Sequence, residues 1–321
     1  MQEILNRLGI AFRTEMPVRQ LTGMNSTKIL PLVVWPSTQS QLVDLCKSIA
    51  FANDKTYDIL GGVTNTYLCE SFQRDIVILT TKLNRIFTNQ STTNVVNVEC
   101  GCNLTKIAKQ MVNEGYLGYE GLVGIPGTVG GAAINNSGAF GCEMSNVVRG
   151  VWCLSMKDGS LKYFRNADLQ YKIRSSILKG QNKFLVLSVD LDIQRKGEPK
   201  ELISKMDQNM KIRRTQIDGK RKSLGTIFVA SSMQELYCHH RTATFCGKLL
   251  NLPNKYLFHR HDWEVAIRFF CLGHLELAKY CDSLGRFCWS EDTTERDFFH
   301  YINIMQSLAK GKLELEIEIK K

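Results

Sequence analysis

No run of about eighteen or more apolar residues occurs in the 321-residue chain, which excludes a membrane-spanning helix. The opening MQEILNRLGIAFRTEM lacks both the apolar core of a secretory leader and a small-residue cleavage site, so the expected compartment is the cytoplasm. Eleven cysteines are present without a single CxxC pair, so neither a disulfide scaffold nor an anchored zinc site is indicated. They read as small buried hydrophobes in a reducing compartment. The densest group of potential metal ligands, Cys238, His239, His240, Cys246, His259 and His261, lacks that anchor, and no metal is expected. No strand–GxGxxG–helix unit opens the first half, which argues against a Rossmann domain, and no GxxxxGK[ST] loop is present. Internal repeats and low-complexity tracts are also missing.

What is present is ordinary in bulk. A hydrophobic fraction of 44% and a charged fraction of 22% suit a packed globular protein, and the length allows two domains. The formal charge of +10 points to anionic partners. Its densest run is Lys211, Arg213, Arg214, Lys220, Arg221 and Lys222, either a solvated surface or a local phosphate site. No aromatic residue interleaves with that run, so no nucleic-acid partner is expected; the lack of a spanning segment sets the expectation of no membrane partner.

Along the chain, LPLVVWPSTQSQLVDLCKSIAFAND predicts strand, turn and helix, with Leu42, Val43, Cys46, Ile49 and Ala50 as the helix's buried stripe. TYDILGGVTNTYL is a strand entering a glycine turn, while DIVILTT and NVVNVEC are short β-branched strands. LTKIAKQMVNEGY is an amphipathic helix closed by Gly115. NVVRGVWCLSMKDGSLKYF predicts a hairpin turning at Asp158-Gly159, and KFLVLSVDLDI a further strand. The pattern turns charged and then helical after Arg195, which sets the expected boundary between domains 1–198 and 199–321. The alternation of KLELEIEI predicts a half-buried strand over 312–319. The fold class is α+β.

Two glycine-rich segments carry the functional signal. In LGGVTN, Gly61 and Gly62 follow a strand, and Thr64 and Asn65 add short side chains, a pattern suited to a pyrophosphate. In EGLVGIPGTVGGAAINNSGAFGCE, seven glycines fall between Gly121 and Gly141. The apolar residues Ile125, Val129, Ala132, Ala133 and Ile134 between them rule out a flexible linker. Backbone in this stretch is expected to lie against something flat or phosphorylated.

LGGVTN, then YEGLVGIPGTVGGAAINNSGAFGCE, then LQYKIRSSILK, in that order, resemble the UDP-N-acetylenolpyruvoylglucosamine reductase family over about residues 30–193, with LELEIEI adding a further match. The resemblance implies a two-subdomain FAD-binding fold of the vanillyl-alcohol-oxidase type, about 1–82 and 83–198, followed by a smaller α/β substrate-binding domain. The strand 312–319 of that domain would return to the active site. It implies a pyrophosphate on Gly61, Gly62, Thr64 and Asn65, and a flavin against Ile125, Gly127, Gly130, Gly131, Ile134 and Gly138. The implied reaction is the NADPH-fed, FAD-dependent reduction of UDP-N-acetylglucosamine-enolpyruvate to UDP-N-acetylmuramate, a step of peptidoglycan synthesis.

Arg174 matches the family's catalytic arginine, Thr226 stands where its serine proton donor is found, and Glu316 matches its carboxyl-terminal glutamate. Hydride addition beside a carboxylate calls for such a set: a bidentate cation, a proton donor and a polarising acid. On their own, these residues read equally as a salt-bridged arginine, a backbone-bonded hydroxyl and a solvated acidic face. The sequence departs from the family at Val63 (a glycine there), Ile173 (a tyrosine) and Phe140 (a tyrosine). Val229 to Ser231 replace a Lys-Asn-Pro, and DSLGRFCWS keeps little of the family's lid segment. These departures leave open a paralogue acting on another nucleotide sugar or natural-product intermediate, or a flavin-binding protein without turnover.

Overall fold

A computed structural model describes residues 1–321 except 23, 53–55, 88–93, 182, 217–220 and 259. The chain divides into two units, the first formed by 1–16, 29–63 and 73–215, the second by 17–28, 64–72 and 216–321.

The first unit holds two sheets. One is four-stranded, in the order Ala11–Pro17, Ile29–Trp35, Ile76–Leu79, Tyr57–Leu60. Ile76–Leu79 runs parallel to both of its neighbours and is buried at every position, which is why it reads as an unbroken apolar run. The helix Gln39–Ala52 starts where Thr38 Oγ1 accepts the Gln41 N–H at 3.1 Å. It buries Leu42, Leu45, Cys46 and Ile49, spaced i, i+3, i+4, i+7. The expected stripe named Val43 in place of Leu45; Val43 is half-exposed, one residue off the buried face. The side chain of Ala50 lies outside the described ones.

The second sheet is five-stranded and antiparallel, ordered Leu161–Arg165, Val148–Ser155, Phe184–Asp192, Val95–Glu99, Ile86–Phe87. The hairpin at Gly159 (φ +69°) joins the first two strands. The helix Leu104–Asn113, capped by Asn103, packs Ile107, Ala108, Met111 and Val112 into the same core and stops before Gly115 (φ +82°). The glycine-rich stretch follows it, and the helix Pro199–Gln216 closes the unit with Leu202 and Met206 buried.

The second unit is built round an aromatic core. Tyr67 and Phe298 stack at 4.4 Å, and Phe287 and Trp289 each lie 5.3 Å from Phe298. Phe298 belongs to the helix Glu295–Leu308, which begins at a Thr294–Asp297 capping box. A small antiparallel sheet joins Lys222–Ser223, Arg286–Trp289 and Cys281–Ser283. The expected strand 312–319 is shorter than its alternation suggests. Only Glu318–Lys320 forms a strand, parallel to Thr66–Leu68. Before it, 314–316 is tied instead to 227–229 through the Val229 N–H to Glu314 O and the Glu316 N–H to Ile227 O, both 2.8 Å.

Candidate active site

The strand Tyr57–Leu60 runs directly into Gly61, Gly62 and Val63. Val63 is buried and held at φ +52°, a left-handed backbone that a β-branched residue adopts at about 1–2 kcal/mol. The turn geometry asks for glycine there, and valine takes it under strain. A Cβ placed on Gly61 would stand 2.6 Å from Thr128 Oγ1. The two glycine turns, more than sixty residues apart in sequence, therefore touch.

Thr128 caps the short helix Val129–Ile134, its Oγ1 accepting the Gly131 N–H at 3.3 Å. Within this stretch the glycines divide into two kinds. A Cβ on Gly130 would fall 2.7 Å from Cys100 Cβ, and one on Gly121 or Gly138 would collide with the carbonyl oxygen of Ala139 or Cys142. These three are glycine because the protein's own backbone presses on them. Gly131, by contrast, has only Thr128 Oγ1 at 3.4 Å, and with Ile125, Gly127 and Ile134 it is half-exposed. Close backbone approach is thus partly internal packing, which glycine spacing in a sequence does not separate from ligand contact.

Glu120, at the head of the stretch, anchors the helix Pro199–Gln216. Its carboxylate accepts from Lys205 Nζ at 2.7 Å and from the Gly118 N–H at 2.9 Å, and its carbonyl from Asn209 Nδ2 at 3.3 Å. Burial pushes the carboxyl pKa up, but the bond to Lys205 and the backbone donors outweigh it and leave it below the ordinary value.

Arg174 sits at φ +53° in a loop braced by Asn136. The buried Asn136 amide donates to Glu143 Oε2 and to Lys172 O, both at 3.0 Å, while its Oδ1 accepts the Ser145 N–H at 2.9 Å. The Arg174 guanidinium donates to Asn136 O at 3.3 Å and Gly138 O at 2.6 Å. The arginine is therefore positioned against the glycine hairpin Gly138–Ala139/Cys142–Glu143, as a positioned cation requires.

Arg213 completes this unit's site. It lies against Gly124, where an added Cβ would be 3.2 Å from its Nε, and over the Phe140 ring at 5.4 Å. Its Nε and Nη2 are buried without a hydrogen-bond partner among the described residues. Burial pushes its pKa down. A shielded guanidinium with two unmet donors is costly unless a ligand supplies the acceptors.

The other expected residues belong to the second unit. Thr226 is exposed and its hydroxyl makes no hydrogen bond among the described residues, so it does not serve as a backbone clasp there. Glu316 is half-buried one register step away; its carbonyl accepts from Asn65 Nδ2 at 3.1 Å, and Asn65 O accepts the Glu318 N–H at 3.0 Å. Thr64 precedes Asn65 in the same unit. The segments 64–65, 226–227 and 316–318 are thus stitched together.

The FAD binding domain family matches residues 30–164. The UDP-N-acetylenolpyruvoylglucosamine reductase of Caldicellulosiruptor saccharolyticus is 28% identical over 227 residues, 70% of this chain and 71% of that protein. The enzyme of the same name from Alkaliphilus oremlandii is 33% identical over 188 residues, 58% of this chain and 60% of its own length, under two thirds. The crystal structure of UDP-N-acetylenolpyruvylglucosamine reductase from Thermus caldophilus shares the fold, with a TM-score of 0.65 at 19% identity over 97% of this chain and 99% of that one. The chain is thus similar to UDP-N-acetylenolpyruvoylglucosamine reductases and contains an FAD binding domain.

Both glycine turns fall inside the FAD binding domain match, and the fold is the α+β FAD-binding class expected. Arg174, Arg213, Thr226 and Glu316 lie beyond the matched residues. Sequence reasoning missed Arg213 and Asn136 as site residues. For Arg213 a signal existed in the basic run around it. The run's other members do different work: Arg221 donates to Cys281 O and Lys279 O at 2.7 and 2.6 Å, and Lys220 lies outside the described residues. Asn136 gave no signal, because its role is set by partners up to thirty-eight residues away. Of the suggested metal ligands, Cys238 and Cys246 are exposed, His239 and His240 bond to the carbonyls of Glu235 and Leu308, and His259 is outside the described residues.

Proposed function

We propose that this chain reduces UDP-N-acetylglucosamine-enolpyruvate to UDP-N-acetylmuramate, using FAD and NADPH, as a cytoplasmic step of peptidoglycan synthesis. The observation that carries the reading is the junction of the two glycine turns at Gly61 and Thr128, with the unmet donors of Arg213 beside the same stretch. That donor set fits an electron-rich heterocycle edge or a phosphate, and the half-exposed backbone at Gly127 and Gly131 fits a flat ring. FAD, when bound, would carry hydride from NADPH to the alkene carbon of the substrate. Gly61, Gly62, Thr64 and Asn65 would hold its diphosphate; Ile125, Gly127, Gly131 and Ile134 would line its ring, and the expected Gly130 and Gly138, pressed on by the protein itself, would let the stretch pack tightly behind it.

Arg174 would grip the substrate carboxylate as charge develops on it. Its backbone bonds to Asn136 and Gly138 pre-set its orientation. Thr226, with an exposed hydroxyl that has no partner among the described residues, would protonate the alpha carbon, and Glu316 would polarise the substrate. The test is NADPH consumption by the FAD-loaded protein. It is expected to accelerate on adding UDP-N-acetylglucosamine-enolpyruvate, and no acceleration with flavin bound would contradict the assignment. A second reading, a paralogue acting on another nucleotide sugar, is favoured by Val229, an apolar residue buried where the family resemblance implies a lysine. It predicts a flavin that NADPH reduces whether or not this sugar is present.

A further inference from the structure

The region 237–275 holds the largest run of exposed apolar side chains in the second unit, and the site makes no use of it. From the helix Arg241–Leu250 helical hydrogen bonding carries on, with the Asn251 N–H donating to Gly247 O and the Lys255 N–H to Asn251 O, into the π-helical turn Asn254–Phe258. Phe245, Leu249, Leu252 and Tyr256 recur at steps of four, three and four residues and so share one face. They are 67, 55, 42 and 68% exposed, so covering the stripe would take a continuous apolar surface out of water. Arg241, Lys248 and Lys255 follow one another at intervals of seven residues, which sets all three along the same flank of that stripe.

None of the three makes an ion pair among the described residues; Lys255 only overlies the Tyr256 ring at 5.8 Å. The nearby carboxylates are already engaged, Asp262 with Arg260 at 2.8 Å and Glu264 with Arg268 at 2.5 Å. Beyond the stripe, Leu257, Phe258 and Trp263 are exposed as well, and the last two rings contact at 5.2 Å.

We infer that this helix docks on an anionic lipid surface, its apolar stripe lying in the interface and its cationic flank on the headgroups. A wide apolar face with aromatic residues and an unpaired basic edge is the design of an interfacial helix. Pairing with a second copy is disfavoured, since residues 237–261 carry these cations and no Asp or Glu to answer them across a symmetric helix pair. The inference revises the expectation of no membrane partner, which rested on the lack of a spanning segment; no helix among the described residues is long and apolar enough to cross.

Vesicle co-sedimentation of the full chain tests it, comparing phosphatidylglycerol-containing with pure phosphatidylcholine vesicles at low and high salt. Binding at least about tenfold stronger to the anionic vesicles, weakened by salt, is expected. The double variant Lys248→Glu/Lys255→Glu should abolish that preference. Phe245→Ser/Leu249→Ser/Tyr256→Ser should weaken binding about tenfold or more with flavin content unchanged. Equal binding to both vesicle types, or anionic binding unaffected by either variant, overturns the inference. So does a stripe that proves to be buried in a dimer, seen as sedimentation of a dimer that the Ser variant splits without any vesicle binding.

Discussion

Arg213 holds a positive charge where its Nε and Nη2 meet no acceptor among the described residues, a situation that weakens the flavin-free protein. Replacing it by methionine, similar in reach but uncharged, should raise the melting temperature of the flavin-free protein and weaken FAD binding about tenfold or more. Lower stability with unchanged flavin affinity would make Arg213 a structural residue instead. Val63 offers a second residue-scale test. Alanine at this position keeps the left-handed strain and loses most of the buried side chain, whereas glycine loses the side chain but removes about 1–2 kcal/mol of strain. Urea midpoints should therefore rank Val63→Gly no lower than Val63→Ala, the reverse of the usual order; a clearly more stable alanine variant would show that φ +52° costs little there.

At the scale of elements, the helix Val129–Ile134 separates glycines that pack from glycines left open. Gly130→Ala puts a methyl into Cys100 and should cost about 1–3 kcal/mol of stability. Gly131→Ala has room and should leave stability nearly unchanged while lowering flavin affinity; thermal melts and flavin titration of the two variants give the comparison. The Glu120–Lys205 tether adds a pH signature. The folded Glu120 pKa is depressed, so its contribution is present above the unfolded carboxylate range and lost as pH falls through the folded value. Glu120→Gln should remove part of the acid-side slope of stability below about pH 4.5, worth about 1 kcal/mol, with the exposed Lys205 keeping the figure small. A stability profile with an unaltered acid limb would detach this pair from the helix's anchoring.

Elements were legible where the pattern was local. The helix at Leu104–Asn113, the hairpin turning at Gly159 and the fully apolar strand Ile76–Leu79 follow from periodicity, a cap or turn residue and burial on both faces. The alternation of 312–319 misled because the segment's partner changes midway, from 227–229 to Thr66–Leu68, and alternation in one chain carries no trace of its neighbours. In the site, the glycine turns were visible as composition, but their meeting through Thr128 and the bracing of Arg174 by Asn136 depend on contacts remote in sequence.

Across the whole molecule, all eleven cysteines are unpaired and eight are buried, so reductant should leave the melting temperature unchanged. Burial pushes the thiols of Cys46, Cys100 and Cys153 up to about 12, which keeps them protonated at neutral pH. Alkylation of the native protein should label the exposed Cys238 and Cys246 first, as mass spectrometry of digests would reveal; early labelling of Cys100 would mean that the glycine-bearing core opens readily.

The account rests on the first unit's glycine turns and Arg213 forming a flavin cradle. The most direct measurement is the visible spectrum of the purified chain after FAD addition and removal of the unbound excess. Retained absorbance near about 450 nm at one flavin per chain, reduced in Arg213→Met and Gly131→Ala, is the predicted result. A colourless protein after FAD addition, or full retention in both variants, would contradict it.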